Sequence, residues 1–244
     1  MSSTGRPSAT HPSPLLLVLE TATSRGSVAL MAGDGCLAEF SLRSTLTHSR
    51  RLLGAIEFLL QESGVTWPDL DAVAVSLGPG SFTGLRIGLS TAKGLALATG
   101  VPLIGVPTLD GLAAQFTFTT PLICPLLDAR KKEVYAAFFR CADGGLPRRE
   151  SEYLVLPPDR LADMVAAPTI FIGDGAECYG DLLVRQLGDL ALLPPAAIYL
   201  PRAAALGRLA LARWRAGEFL EPGPAGPIYV RASEAEVNFG GKMG

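Results

Sequence analysis

Leu15-Leu16-Leu17-Val18-Leu19-Glu20-Thr21-Ala22-Thr23 and Leu122-Ile123-Cys124-Pro125-Leu126-Leu127-Asp128-Ala129-Arg130 are the two stretches whose reading decides the fold. Each is a short apolar run that closes on an acid and enters a turn, the pattern of a strand leading into a hairpin. Val18-Leu19-Glu20 beside Leu126-Leu127-Asp128 is the clearest echo. The turn after each acid leads to a second strand, Ser27–Ala32 in one half and Glu133–Phe139 in the other. Third strands over Leu37–Leu42 and Glu152–Leu156 close two β-meanders. Two meander-then-helix halves in one chain predict an internal duplication. The fold class is then α/β, with two similar subdomains of mixed sheets flanked by helices and a cleft between them.

Outward from these strands, helix and strand periods alternate. A helix opens after Thr47 with Leu52, Leu53, Ile56, Leu59 and Leu60 on one stripe, and Gly64 stands where a glycine cap is expected. Ala72–Leu77 reads as an apolar strand, followed by a helix over Phe82–Thr99, a strand over Pro102–Val106 and a short helix over Leu109–Phe116. In the second half a helix near Asp159–Val165, a strand over Thr169–Ile172, a helix after Gly173 and a closing helix over Arg202–Ala216 are predicted. The expected division is a disordered leader (1–14), subdomains over 15–117 and 118–226, the closing helix in the latter, and an extended tail over 227–244.

The 244 residues carry 21 basic and 23 acidic side chains, a net charge of −2, and only 18% charged residues. That balance argues against a freestanding nucleic-acid binder, and the charge poverty suggests an apolar surface covered by a partner. No apolar run reaches the ~20 residues of a membrane span, so a cytoplasmic protein with no membrane contact is expected. Cys36, Cys124, Cys141 and Cys178 are scattered, and His11 and His48 are the two histidines, so no metal motif is written and no metal is expected.

Two features carry candidate chemistry. The acid turns at Glu20-Thr21 and Asp128-Ala129 face each other in such an architecture and could cradle a nucleotide phosphate, or could be structural remnants of duplication. Gly78-Pro79-Gly80-Ser81-Phe82-Thr83-Gly84 stands between strand and helix but matches neither the dinucleotide fingerprint nor a P-loop. The helix behind it repeats Gly84, Gly88, Ala92 and Ala96 at four-residue spacing, a smooth stripe that packs either on its own sheet or on another helix.

Leu19-Glu20-Thr21-Ala22-Thr23 with Ser27-Val28-Ala29, then Gly78 through Gly88, Gly94-Leu95-Ala96, Asp128-Ala129-Arg130 with Glu133-Val134-Tyr135, and Pro227-Ile228-Tyr229-Val230-Arg231 closely resemble the TsaB (YeaZ) family. The resemblance runs from Leu15 to about Glu236. It implies an actin-like fold of the sugar-kinase and Hsp70 type. It also implies a non-catalytic role in bacterial synthesis of threonylcarbamoyladenosine beside the tRNA anticodon. The implied partners are the catalytic paralogue TsaD and the ATPase TsaE, with tRNA engaged indirectly and a homodimer open to the free chain. The catalytic paralogue's His-x-x-x-His pair falls on Thr108 and Leu112, which cannot hold that metal. The interface implied for the two helices includes Leu52, Ile56, Gly84, Arg86, Gly88 and Ala92. Glu20, Thr21, Asp128, Gly173 and Gly175 are the candidate nucleotide contacts, with no catalytic residue and no cofactor beyond ATP or ADP at a partner interface. The alternatives are an actin-like ATPase or small-molecule kinase using the acid turns, and a glycoprotease-type metallopeptidase, against which the missing histidines argue.

Overall fold

The computed structural model describes residues 13–43, 48–141, 145–195 and 201–230. The expected N-cap at Thr47, residues 1–12 of the expected leader and residues 231–244 of the expected tail lie outside the described residues. The first half contains β1 (Leu15–Glu20), β2 (Arg25–Ala32), β3 (Gly35–Arg43), α1 (His48–Glu62), β4 (Ala72–Ser76), α2 (Phe82–Thr99), β5 (Leu103–Val106) and α3 (Thr108–Ala113). The second contains β6 (Leu122–Asp128), β7 (Val134–Ala136), β8 (Phe139–Arg140), β9 (Arg148–Arg149), β10 (Leu154–Leu156), α4 (Pro158–Ala162), β11 (Thr169–Ile172), α5 (Asp174–Leu187), β12 (Ala191–Leu192) and α6 (Ala203–Ala216).

The duplication is written in the sheet order. The first sheet runs β3-β2-β1-β4-β5 and the main path of the second β10-β7-β6-β11-β12, so each acid-ended strand is central. In both sheets its hairpin side is antiparallel and its crossover side parallel. The second sheet departs from the expectation in one place. A continuous strand over Glu133–Phe139 is broken into β7 and β8, and β8 pairs with β9 in a small added hairpin. The register of Leu126 with Ala136 and Ile123 with Phe139 sets the break opposite Pro125, which has no N–H to give the ladder.

Five layers result. α1 and α2 cover one face of the first sheet with Leu52, Ile56, Leu59, Leu89, Ala92 and Ala96. α6 covers the other face with Ala203, Leu206, Ala210 and Leu211. α3, from the first half, packs Leu109 and Leu112 on the second sheet, whose far face is closed by α4 and α5. Thus α3 and α6 each serve the sheet of the opposite half, and they touch where Gly111 leaves room for the Leu206 side chain. The segment after α6 returns to the edge strand, with Leu220 N–H donating to the Leu103 carbonyl at 2.8 Å. It then crosses the glycine loop, where Ile228 N–H donates to Leu77 at 2.7 Å.

Candidate functional site

The β1–β2 turn places Glu20 and Thr21 at the end of a fully buried strand. Glu20 Oε1 accepts the Ala22 amide at 2.6 Å, while Oε2 is buried with no hydrogen-bond partner. Burial pushes this carboxyl up to about 7, against the opposing pull of the Ala22 amide and the neighbouring Ser76 hydroxyl. The Thr21 hydroxyl donates to the Gly84 carbonyl at 2.9 Å and its amide donates to Ser76 Oγ at 3.3 Å. The turn is also the seat of the glycine loop, since Ser81 N–H donates to the Ala22 carbonyl at 2.6 Å.

The second acid turn sits beside the first. Arg25, at the start of β2, reaches across to Glu177 of α5 at 3.4 Å, an ion pair joining the two halves. Asp128 accepts its own turn's Arg130 amide at 2.8 Å and pairs with the Arg130 guanidinium at 3.1 Å. Its amide donates to Asp174 Oδ1 at 3.0 Å. Burial, opposed by that hydrogen bond, raises the Asp174 carboxyl above its ordinary range. Gly173 and Gly175 lie directly on β6, where a Cβ would meet the Leu126 backbone, so both serve close packing.

The candidate nucleotide contacts thus fall in two groups, Glu20 with Thr21 and Asp128 with Gly173 and Gly175, linked by the Arg25–Glu177 pair, and their local groups are engaged inside the chain. The amides of Thr21, Ala22, Arg25, Asp128 and Arg130 all donate to protein acceptors. A phosphate cradle needs such amides free and pointing inward. The residues present do not fit a phosphate held by this chain's turns alone.

The small-residue stripe of α2 faces inward. Gly84 and Gly88 press on Thr21, and a Cβ at either would fall within its carbonyl or hydroxyl oxygen. Ala92 and Ala96 are buried in the same core, as are Leu52 and Ile56 of α1. Of the six residues expected at a partner interface, five are thus covered by the chain itself, and only Arg86 is exposed. The physical reason is close helix–strand approach: the β1–β2 turn occupies the space that the glycines open.

The outward face was missed by the sequence reading, although the same period contains it. Positions 82, 86, 90, 94 and 98 are all exposed, offset by two residues from the glycine stripe and so about 200° round the helix. Arg86 lies over the Phe82 ring at 3.7 Å, and Phe82 meets Tyr229 of the returning segment at 5.8 Å between centroids. Leu97 is 71% exposed; on α1, Leu53 is 46% and Phe58 54% exposed, the latter edge-on to Phe40 of β3. Nothing stands within 4 Å of a Cβ built at Gly54 or Gly94.

Thr108 and Leu112 are both fully buried. The Thr108 hydroxyl accepts the Gly78 amide at 3.1 Å, and Leu112 packs in the hydrophobic core over β6. Among the described residues no group of His, Cys, Asp or Glu is arranged to hold a metal ion, and no helix is long and apolar enough to cross a membrane.

Known proteins match this chain along most of its length. A family model described as TsaD, tRNA N6-adenosine threonylcarbamoyltransferase, matches residues 43–239. The tRNA threonylcarbamoyladenosine biosynthesis protein TsaB of Escherichia coli is 32% identical over 237 residues, covering 93% of this chain and 99% of that protein. The solved structure of YeaZ from Pseudomonas aeruginosa aligns with a TM-score of 0.75 at 32% identity, over 89% of this chain and all of that one. Component A of the (R)-2-hydroxyglutaryl-CoA dehydratase of Acidaminococcus fermentans, at TM-score 0.51 and 11% identity, shares the fold alone, which is of the actin-like ATPase type. The chain belongs to the TsaB (YeaZ) family, and its place is in the biosynthesis of threonylcarbamoyladenosine in tRNA.

Proposed function

We propose that this chain is a non-catalytic subunit that pairs with a TsaD-type transferase through the outward face of α1 and α2. The observation that carries the reading is the exposure of Leu53 and Phe58 on α1 and of Leu97 on α2, together with the open space above Gly54 and Gly94 on the same two helices. Apolar side chains flanking glycine gaps suit the close approach of a second helix pair. Thr108 and Leu112, spent on a loop amide and on core packing, support the absence of catalysis by this subunit. On this reading ATP or ADP is held at the junction with the partner, the ATPase TsaE completes the assembly, and the complex works in the cytoplasm.

Leu53→Glu and Leu97→Glu are expected to reduce co-purification with the transferase at least tenfold while leaving the urea midpoint of the chain unchanged. Omission of the chain from a reconstituted threonylcarbamoyl transfer is expected to abolish product. Full activity from the remaining components alone would overturn the role. A second reading, a small ATPase or kinase, draws on the unpartnered Glu20 oxygen. It requires the isolated chain to turn over ATP and Asp128→Asn to stop it.

A further inference from the structure

α2 carries two charged residues, Arg86 and Lys93, and no acid along its length. Lys93 spends its ammonium group on the Gly223 carbonyl at 3.2 Å. Arg86 is exposed and makes neither an ion pair nor a hydrogen bond with the described residues. Its contact is the Phe82 ring, one turn earlier, with the guanidinium carbon 3.7 Å from the ring centre. Arginines elsewhere on the surface are placed differently: Arg25, Arg140 and Arg215 each reach a carboxylate of the chain itself.

Phe82 is itself fixed. It opens the helix directly after Ser81, whose side chain accepts the Gly84 amide, and its ring meets Tyr229 of the returning segment at 5.8 Å between centres. Both rings stay more than 40% exposed. Two half-open rings and a guanidinium thus stand together at the start of α2. Aromatic contact of this kind limits the swing of the guanidinium and leaves its N–H groups for another acceptor.

A guanidinium so restrained is arranged for a carboxylate, which it can bind through two parallel N–H bonds. Tyr and Arg are also the residues on which binding energy concentrates in protein interfaces. We propose that Arg86, positioned by Phe82 and Tyr229, anchors the α1–α2 face to its partner by binding an Asp or Glu side chain of the transferase. The proposal rests on the reading that this face pairs with the transferase, and adds the chemistry that the partner must present there. A surface without that carboxylate would leave the guanidinium desolvated and unpaired, so the same contact selects against other apolar faces.

The test measures the affinity of the full-length chain for the purified transferase at several salt concentrations. Arg86→Gln is expected to weaken binding about thirtyfold and to flatten its salt dependence, because the charge pair is lost. Arg86→Lys, which keeps the charge without the planar fork, loses about tenfold and keeps the salt dependence. Phe82→Leu removes the π face and loses about threefold through looser placement of the guanidinium, and Phe82→Tyr restores the wild-type affinity. The urea midpoint of Arg86→Gln stays at the wild-type value, since the side chain is exposed. Leu97→Glu is the control for the pairing itself. If Leu97→Glu and Arg86→Gln both bind like wild type, the face is not the interface and the anchor falls with it. If Leu97→Glu disrupts binding while Arg86→Gln leaves affinity and salt dependence unchanged, the pairing stands and the carboxylate contact is overturned. Normal transferase binding by Arg86→Glu, with altered self-association of the free chain in sedimentation, also overturns it and assigns the residue to a contact between copies.

Discussion

At Glu20 the two carboxylate oxygens meet different fates, one taking the Ala22 amide and the other enclosed with no donor. An ionised carboxyl in that position would leave part of its charge unsolvated, so the folded chain keeps the proton up to about pH 7, where an unfolded one releases it near 4.5. The folded state therefore binds more protons through that window, and stability falls as pH rises across it, levelling off above 7. The difference amounts to about 3 kcal/mol for a group so fully enclosed. Urea midpoints measured from pH 4.5 to 8.5 are expected to show the decline in wild type and to lose it in Glu20→Gln, which should be the more stable protein above pH 7. An identical slope in both would show that another group titrates. That an acid ends β1 is plain in the sequence, as it is for β6. Its burial is not, because it depends on neighbours such as Ser76 of β4, more than fifty residues further on.

α2 shows what periodicity can and cannot say about an element. Its limits, Phe82 to Thr99, are those predicted, because Ser81 caps the first turn and Gly100 at φ +74° ends the last. Its orientation is another matter. A four-residue repeat of small side chains marks a close approach without naming the neighbour, and here the neighbour is Thr21 of the same chain. Alanine substitutions separate the two faces. Gly84→Ala and Gly88→Ala each drive a methyl into Thr21 and are expected to cost about 2 kcal/mol or more, whereas Gly94→Ala, with open space above it, should stabilise by about 0.5–1 kcal/mol through helix propensity. Thermal melts of the three variants decide this. Equal effects at positions 88 and 94 would contradict the inward seating. The β8–β9 hairpin was not legible for a related reason, since the strand break follows from Pro125 on a partner strand and from nothing within the broken segment.

Over the whole molecule, two copies of one topology are tied together by exchanged helices and by the bridge from Arg25 to Glu177. The bridge is partly exposed, at 21% and 31% of the two side chains, so a double-mutant cycle on Arg25→Ala and Glu177→Ala is expected to return a coupling of about 0.5 kcal/mol. Its consequence lies in how firmly the two acid turns are held together, and amide exchange in both turns should quicken in either single variant while the sheet centres stay protected. Faster exchange confined to the substituted turn would show that the halves are held by α3 and α6 alone. The sequence by itself determined the class of fold, the duplication, the central acid-ended strands and the family, because all of these rest on local period and on residues near one another in the chain. Only the tertiary structure decided which stripe of α2 is buried, that the turn amides are engaged within the chain, and which sheet each of α3 and α6 covers. Those outcomes depend on contacts between segments far apart in sequence, where a glycine or a leucine reads the same whether its neighbour is the chain itself or another molecule.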